Sequence, residues 1–179
     1  QASYTDQQGT DESVTSTATS NVVNVNDAPT GNVTISGTAE EDQTLTASNT
    51  LADEDGLGTV SYQWHRDGTA ITGATGETYT LTQADVGAAI SVQASYTDQQ
   101  GTDESVTSTA TSNVVNVNDA PTGNVTISGT AEEDQTLTAS NTLADEDGLG
   151  TVSYQWHRDG TAITGATGET YTLTQADVG

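Results

Sequence analysis

The feature that most constrains this chain is an internal repeat without a single substitution. Gln1–Gly87 and Gln93–Gly179 are identical residue for residue, at an offset of 92 residues. Solenoid repeats are ~20–50 residues long, whereas independently folding domains run from ~50 to 250. The period therefore predicts a string of small domains. Any site in one copy is present in every copy. A catalytic unit gains little from identical neighbours on one string, while a spacer or a multivalent binder scales with copy number.

The unit is phased from Ala28 to Asp119, because Asn26-Asp27-Ala28-Pro29 reads as a linker: proline lacks an N–H and holds the preceding residue extended. The chain then divides into residues 1–27, the last two strands of one unit; 28–119, a complete unit; and 120–179, the first strands of the next. Within the complete unit short alternating apolar runs are separated by turn clusters, the pattern of an all-β sandwich. Val33 and Ile35 mark strand A; Leu45 and Ala47, strand B; Val60, Tyr62 and Trp64, strand C; Tyr79 and Leu81, strand E; Ile90, Val92, Ala94 and Tyr96, strand F. Val106, Ala110 and Val114 predict one long strand G. Ser61, Gln63 and His65 are expected to face outward, Asp67-Gly68 to make a two-residue hairpin turn, and Gln83–Gly87 to form a single helical turn. Trp64, Tyr62, Leu45, Leu81, Ile90 and Val92 are the expected core. With no Phe in the chain, a buried Trp of ~150–250 Å² is needed for packing, which outweighs a reading of Trp64 and Tyr62 as a sugar platform.

Charge narrows the function classes. There are 26 Asp and Glu against two cationic residues, Arg66 and Arg158, for a net charge of −24. Nucleic acids and anionic membranes are bound through Lys and Arg, so neither is an expected partner, and no apolar run is long enough to insert in a bilayer. The same charge favours solubility and attracts divalent cations. Cys is absent, which removes disulfides and thiol nucleophiles. No base and acid partner is placed to activate one of the many Ser and Thr residues, and one His per repeat is too few for a zinc site. Enzymatic activity is not expected. Asn32-Val33-Thr34 matches a glycosylation sequon, a three-letter pattern that chance supplies often. Met is also absent, so residue 1 is not expected to be a natural start, and targeting signals are expected elsewhere in a longer chain.

Ser61-Tyr-Gln-Trp-His-Arg-Asp-Gly68 followed by Tyr79-Thr-Leu-Thr-Gln-Ala-Asp-Val-Gly87 resembles the Trp-bearing C strand and Asp-x-Gly corner of immunoglobulin-like domains. The cysteine pair of such domains is missing; Val92 stands near one of its positions, and Ile90 where a corner tyrosine would be. With the linker Val25-Asn-Asp-Ala-Pro29, the repeat is similar to the immunoglobulin-like extender modules of large RTX-type bacterial surface adhesins, and its linkers to those of cadherin-like arrays. The glycine-rich RTX nonapeptide is absent. The resemblance covers essentially the whole chain. It implies tandem immunoglobulin-like sandwiches outside the cell, a stalk that projects a distal binding domain, and calcium at the junctions between neighbouring repeats. The alternative is a module that weakly holds a glycan or a neighbouring cell and acts through avidity.

Asp53-Glu54-Asp55-Gly56 is the densest acidic run, and clustered carboxylates suit Ca²⁺. It is not an EF-hand: with Gly56 at loop position six, Leu51 and Tyr62 would fall at positions one and twelve, where acidic ligands are needed. In the expected strand order, the A–B, C–D and E–F loops gather Glu40, Glu41, Asp85, Asn118 and Asp119 at the outgoing end of one unit. They face Asp145, Glu146 and Asp147 of the next. Candidate ligands at that boundary are Glu40, Glu41, Asp85, Asn118, Asp119, Asp145 and Asp147. At the preceding boundary they are Asn26, Asp27, Asp53 and Asp55, with Asp98 or Asp103 from the F–G loop. Plain solvated charge is the competing reading of the same residues. Since residues 1–27 and 121–179 each hold part of a unit, the segment is expected either to belong to a longer ordered chain or to self-associate head to tail, the first strands of one molecule completing the last unit of another.

Overall fold

A computed structural model describes all residues, 1–179, and is all-β with several antiparallel sheets. In chain order the strands are β1 (Ala2–Thr5), β2 (Asp11–Val14), β3 (Val33–Ser36), β4 (Thr44–Asn49), β5 (Ser61–Arg66), β6 (Thr69–Ala70), β7 (Thr78–Thr80), β8 (Ile90–Thr97), β9 (Asp103–Thr107), β10 (Val125–Ser128), β11 (Thr136–Asn141), β12 (His157–Arg158), β13 (Thr161–Ala162) and β14 (Thr170–Thr172). Single 3₁₀ turns at Gln83–Asp85 and Gln175–Asp177 fall at the position of the expected helical turn.

Residues 28–119 form two sheets, β3-β4-β7 and β6-β5-β8-β9. Period-2 burial explains why. In β8, Ile90, Val92, Ala94 and Tyr96 point to one side and are buried, while Ser91, Gln93, Ser95 and Thr97 point away and are not. Val33, Leu45 and Ala47 from the first sheet join Trp64, Ile90, Val92, Ala94 and Tyr96 from the second in one apolar cluster, closed by Leu51, Leu81 and Val114. Trp64 lies opposite Val92 in the β5–β8 register, stacks on Tyr79 at 5.8 Å between ring centroids, and donates its indole N–H to Gly76 O at 2.9 Å. The β5–β6 turn has positive φ at both Asp67 (45°) and Gly68 (79°), the backbone of a type I′ hairpin.

Three expectations are corrected. Tyr62 is half-buried, because its hydroxyl sits at the rim and accepts the Asn49 amide at 2.6 Å. Gln63 and His65 are not free surface groups: the Gln63 amide donates to the carbonyls of Trp64 and Ile71, both at 2.8 Å, and tucks the β6 arm against β5, while His65 is half-buried. Strand G is not continuous. β9 ends at Thr107, and the Ser108 and Thr111 hydroxyls accept the β8 N–H groups of Val92 and Ile90, taking the place of ladder carbonyls. The chain then changes partners. Val114 bridges Val86, and Val115 pairs in parallel with Glu40, donating its N–H to Ala39 O at 3.0 Å. That crossing delivers Asn116–Asp119 beside the segment preceding β4.

The flanking copies repeat this geometry where their partners are present. β1 and β2 pair in the register of β8 and β9, and β10-β11-β14 repeats β3-β4-β7. Val22, the copy of Val114, is 97 % exposed against 3 %; Val114 bridges Val86 and pairs with Ala88, and Val22 has no such partners.

Candidate functional site

Two groups of three carboxylates each bring their oxygens within 4.8 Å of one another: Asp53, Asp55 and Asp98, and Glu41, Asp119 and Asp147. Each gathers loops from different parts of the sequence.

In the first group, Asp53 and Asp55 lie on the loop after β4, and Asp98 follows β8. Asp53 Oδ1 accepts the Asp55 N–H at 2.8 Å, and its Oδ2 accepts the Tyr96 hydroxyl at 2.5 Å. Asp98 Oδ1 accepts the N–H groups of Gln100 and Thr102 at 2.8 and 2.7 Å, which folds the β8–β9 loop around it. Its other oxygen, Oδ2, is buried and has no hydrogen-bond partner. The linker joins this group through its backbone: Asp27 donates its N–H to Asp55 Oδ2 at 2.7 Å. Burial, then the adjoining Asp53 carboxylate, push the Tyr96 phenol well above its ordinary range, so it stays a donor to Asp53.

The second group spans the boundary between residues 28–119 and the unit that begins at Ala120. Glu41 is 2 % exposed. Its N–H donates to Val115 O at 2.9 Å and its Oε2 accepts the Val117 N–H at 3.2 Å. Across the linker, Asp147 Oδ2 accepts the Asp119 N–H at 2.8 Å and Oδ1 accepts the Asn116 amide at 2.7 Å. The Gln83 carboxamide, from the 3₁₀ turn, faces both Glu41 oxygens; with its nitrogen on that side it donates at 2.8 and 3.1 Å, and to Asn116 Oδ1 at 3.2 Å.

The sequence-predicted residues divide accordingly. Glu41, Asp119 and Asp147 converge, as do Asp53, Asp55 and Asp98. Asp27 contributes its N–H, and Asp145 accepts the Asp147 N–H at 3.0 Å. Glu40 lies next to Glu41 but stays outside the group, and Asn118 bonds the Asp119 carbonyl. Asn26 turns its amide to Glu104, and Asp103, on β9, accepts the hydroxyl of Thr97 on β8, so Asp98 is the β8–β9 loop member of the group. Asp85 is not brought to the boundary cluster. It is fully buried in the 3₁₀ turn, where Arg66 (2.7 Å), the Tyr79 hydroxyl (2.9 Å) and the Thr82 N–H (2.9 Å) occupy both its oxygens. Burial pushes the Asp85 carboxyl up, but the Thr82, Arg66 and Tyr79 hydrogen bonds outweigh it and hold the group below the usual carboxylate range. Gln83, Asn116 and Tyr96 are members that sequence reasoning misses. Uncharged side chains carry no charge signal, and only the spatial return of the chain to Glu41 reveals the first two.

Both groups offer oxygen alone, with no imidazole or thiolate. That donor set suits a hard cation that takes six to eight oxygens, and a buried carboxylate oxygen without a donor fits the same ligand. Comparison of the chain with protein-family models, with curated proteins and with solved structures finds no match.

Proposed function

We propose that this chain is a segment of an extracellular stalk, built from immunoglobulin-like β-sandwich repeats and stiffened by calcium where repeats meet. In this reading residues 28–119 are one complete repeat of a bacterial surface adhesin, and the flanking residues belong to its neighbours. The observation that carries the reading is the Glu41–Asp119–Asp147 group, which takes one carboxylate from the body of a unit, one from the linker and one from the next unit. Carboxylates within a Debye length, ~8 Å at physiological salt, repel one another and favour a bent or mobile junction. Glu41, Asp119 and Asp147 would hold the ion, and Asn116 and Gln83 orient two of those carboxylates. A bound divalent ion supplies positive charge that reverses the repulsion and ties both units to one centre, stabilising the extended junction by linkage. In calcium-poor cytoplasm the array stays flexible; outside the cell it stiffens. A unit with strands of ~7–9 residues at ~3.3 Å each, plus loops, adds roughly 40 Å per copy.

The avidity reading needs an exposed aromatic or concave patch on the repeat. Within 28–119, Trp64 and Tyr96 are buried, and Tyr62 and Tyr79 are partly buried against the core. The strongly exposed aromatic is Tyr4, whose copy in the complete unit is Tyr96. The spacer is therefore favoured. Small-angle scattering of the chain with calcium and with chelator tests it. A larger maximum dimension and a higher melting temperature with calcium are expected; unchanged values would leave only solubility as the role of these acids.

A further inference from the structure

The two carboxylate groups occupy different boundaries in this chain, yet the repeat places them at one and the same junction. Asp55 and Asp147 are the same position in successive copies. Around Asp55 are the members from its own unit, Asp53 and Asp98; around Asp147 are the members from the preceding unit, Glu41 and Asp119. The linker backbone meets the shared carboxylate in the same way at both places, Asp27 N–H to Asp55 Oδ2 at 2.7 Å and Asp119 N–H to Asp147 Oδ2 at 2.8 Å, and at the second Asn116 adds its amide to Asp147 Oδ1. A junction with complete units on both sides therefore assembles five carboxylates: Glu41, Asp119, Asp145, Asp147 and the next copy of Asp98.

We propose that such a complete junction binds two divalent cations bridged by the one shared carboxylate, Asp55 in one copy and Asp147 in the next. The inference rests on the calcium reading above and specifies its stoichiometry. Charge favours two ions: five carboxylates with one divalent ion keep three uncompensated negative charges, and with two ions keep one. Geometry favours two centres, since the shared position gathers carboxylates of the preceding unit in one group and of its own unit in the other. An independent observation points to a ligand at the Asp53–Asp55–Asp98 centre. Asp98 is 5 % exposed, and its buried Oδ2 has no donor although Oδ1 has two. Leaving a buried charged oxygen unpaired is costly, and a cation satisfies it. The Asp53–Asp55–Asp98 centre forms within one unit, whereas the Glu41–Asp119–Asp147 centre forms only when two units meet, so the shared carboxylate couples filling of the first to closure of the second.

Calorimetric titration with calcium tests this, with circular dichroism confirming that each variant stays folded. The chain itself should bind two ions, one at each group; Asp98→Asn should remove one and Glu41→Gln the other. A chain lengthened by a further copy of residues 88–119 after Gly179 completes the second junction and should bind three. In it Asp147→Asn should release two ions, while Asp55→Asn releases one. Loss of a single ion from Asp147→Asn would overturn the shared carboxylate and leave the stalk reading intact. Binding without any change in maximum dimension would overturn stiffening and leave the two centres. No calcium binding at all would overturn both.

Discussion

Asp85 and Asp55 carry the same side chain to opposite ends. Asp85 is surrounded by donors and its charge is consumed inside the unit; Asp55 lies among other acids and takes a single donor, the Asp27 N–H. The sequence shows both as acids in turns and does not separate them. The difference comes from Arg66 and Tyr79, on strands far along the chain that return to the 3₁₀ turn. Asp85 should therefore govern acid stability. Its folded carboxyl is held below the ordinary range, so its contribution is present above the unfolded value, ~3.9, and is lost as pH falls through the lower folded one. The melting temperature in chelator should decline below about pH 4 in the native chain. Asp85→Asn should lower stability at neutral pH by roughly 1.5–3 kcal/mol, the range for hydrogen bonds to charged groups, and flatten the decline. An unaltered acid limb in the variant would assign it to other carboxylates.

At the scale of the element, periodicity made β4 and β8 legible, because each buries alternate residues against one core, while β3 and β5 each bury one residue, Val33 and Trp64. It misread strand G, where Val106, Ala110 and Val114 are spaced as one strand but Ser108 and Thr111 keep only their N–H bonds to Val92 and Ile90, their hydroxyls replacing the return carbonyls and interrupting the regular ladder. Hydroxyl-for-carbonyl substitution leaves no mark on an apolar pattern. That break lets Val115 cross to Ala39, and without the crossing Glu41 and Asp119 would not meet. The loop carrying Asp53 and Asp55 is positioned by a different device. A Cβ on Gly58 would lie 2.0 Å from Thr97 O, so the loop can approach β8 only with glycine there. Gly150 is the same position in the next copy and has nothing within 4 Å. Gly58→Ala should cost about 1–3 kcal/mol, as overpacking does, and weaken calcium binding at Asp98. Gly150→Ala should stay within about 0.5 kcal/mol of the parent. Urea unfolding followed by circular dichroism compares the pair; equal losses would show that the close approach to Thr97 is not what the glycine serves.

For the whole molecule the question is whether calcium acts on this chain as a ligand or merely as an ion. A net charge of −24 with two cationic side chains makes any added salt relevant, because screening alone weakens repulsion along the array. The Debye length falls from ~8 Å at 0.15 M to ~3 Å at 1 M, while the oxygens inside each group lie within 4.8 Å of one another. Screening therefore relaxes the general repulsion without tying Glu41 to Asp147. It leaves the junction freer, whereas a coordinated ion fixes it. The two effects move the scattering profile in opposite senses. Sodium chloride raised in chelator should leave the maximum dimension unchanged or smaller, while calcium at matched ionic strength should increase it. Asp145→Ala combined with Asp147→Ala should abolish the calcium-induced increase and retain the response to sodium chloride. Trp64 lies in the core of residues 28–119, away from both substitutions, and its emission should not change. An extension that sodium chloride reproduces, or that survives the double substitution, would mean that the array is straightened by screening of its charge and not by an ion held at the junction between its repeats.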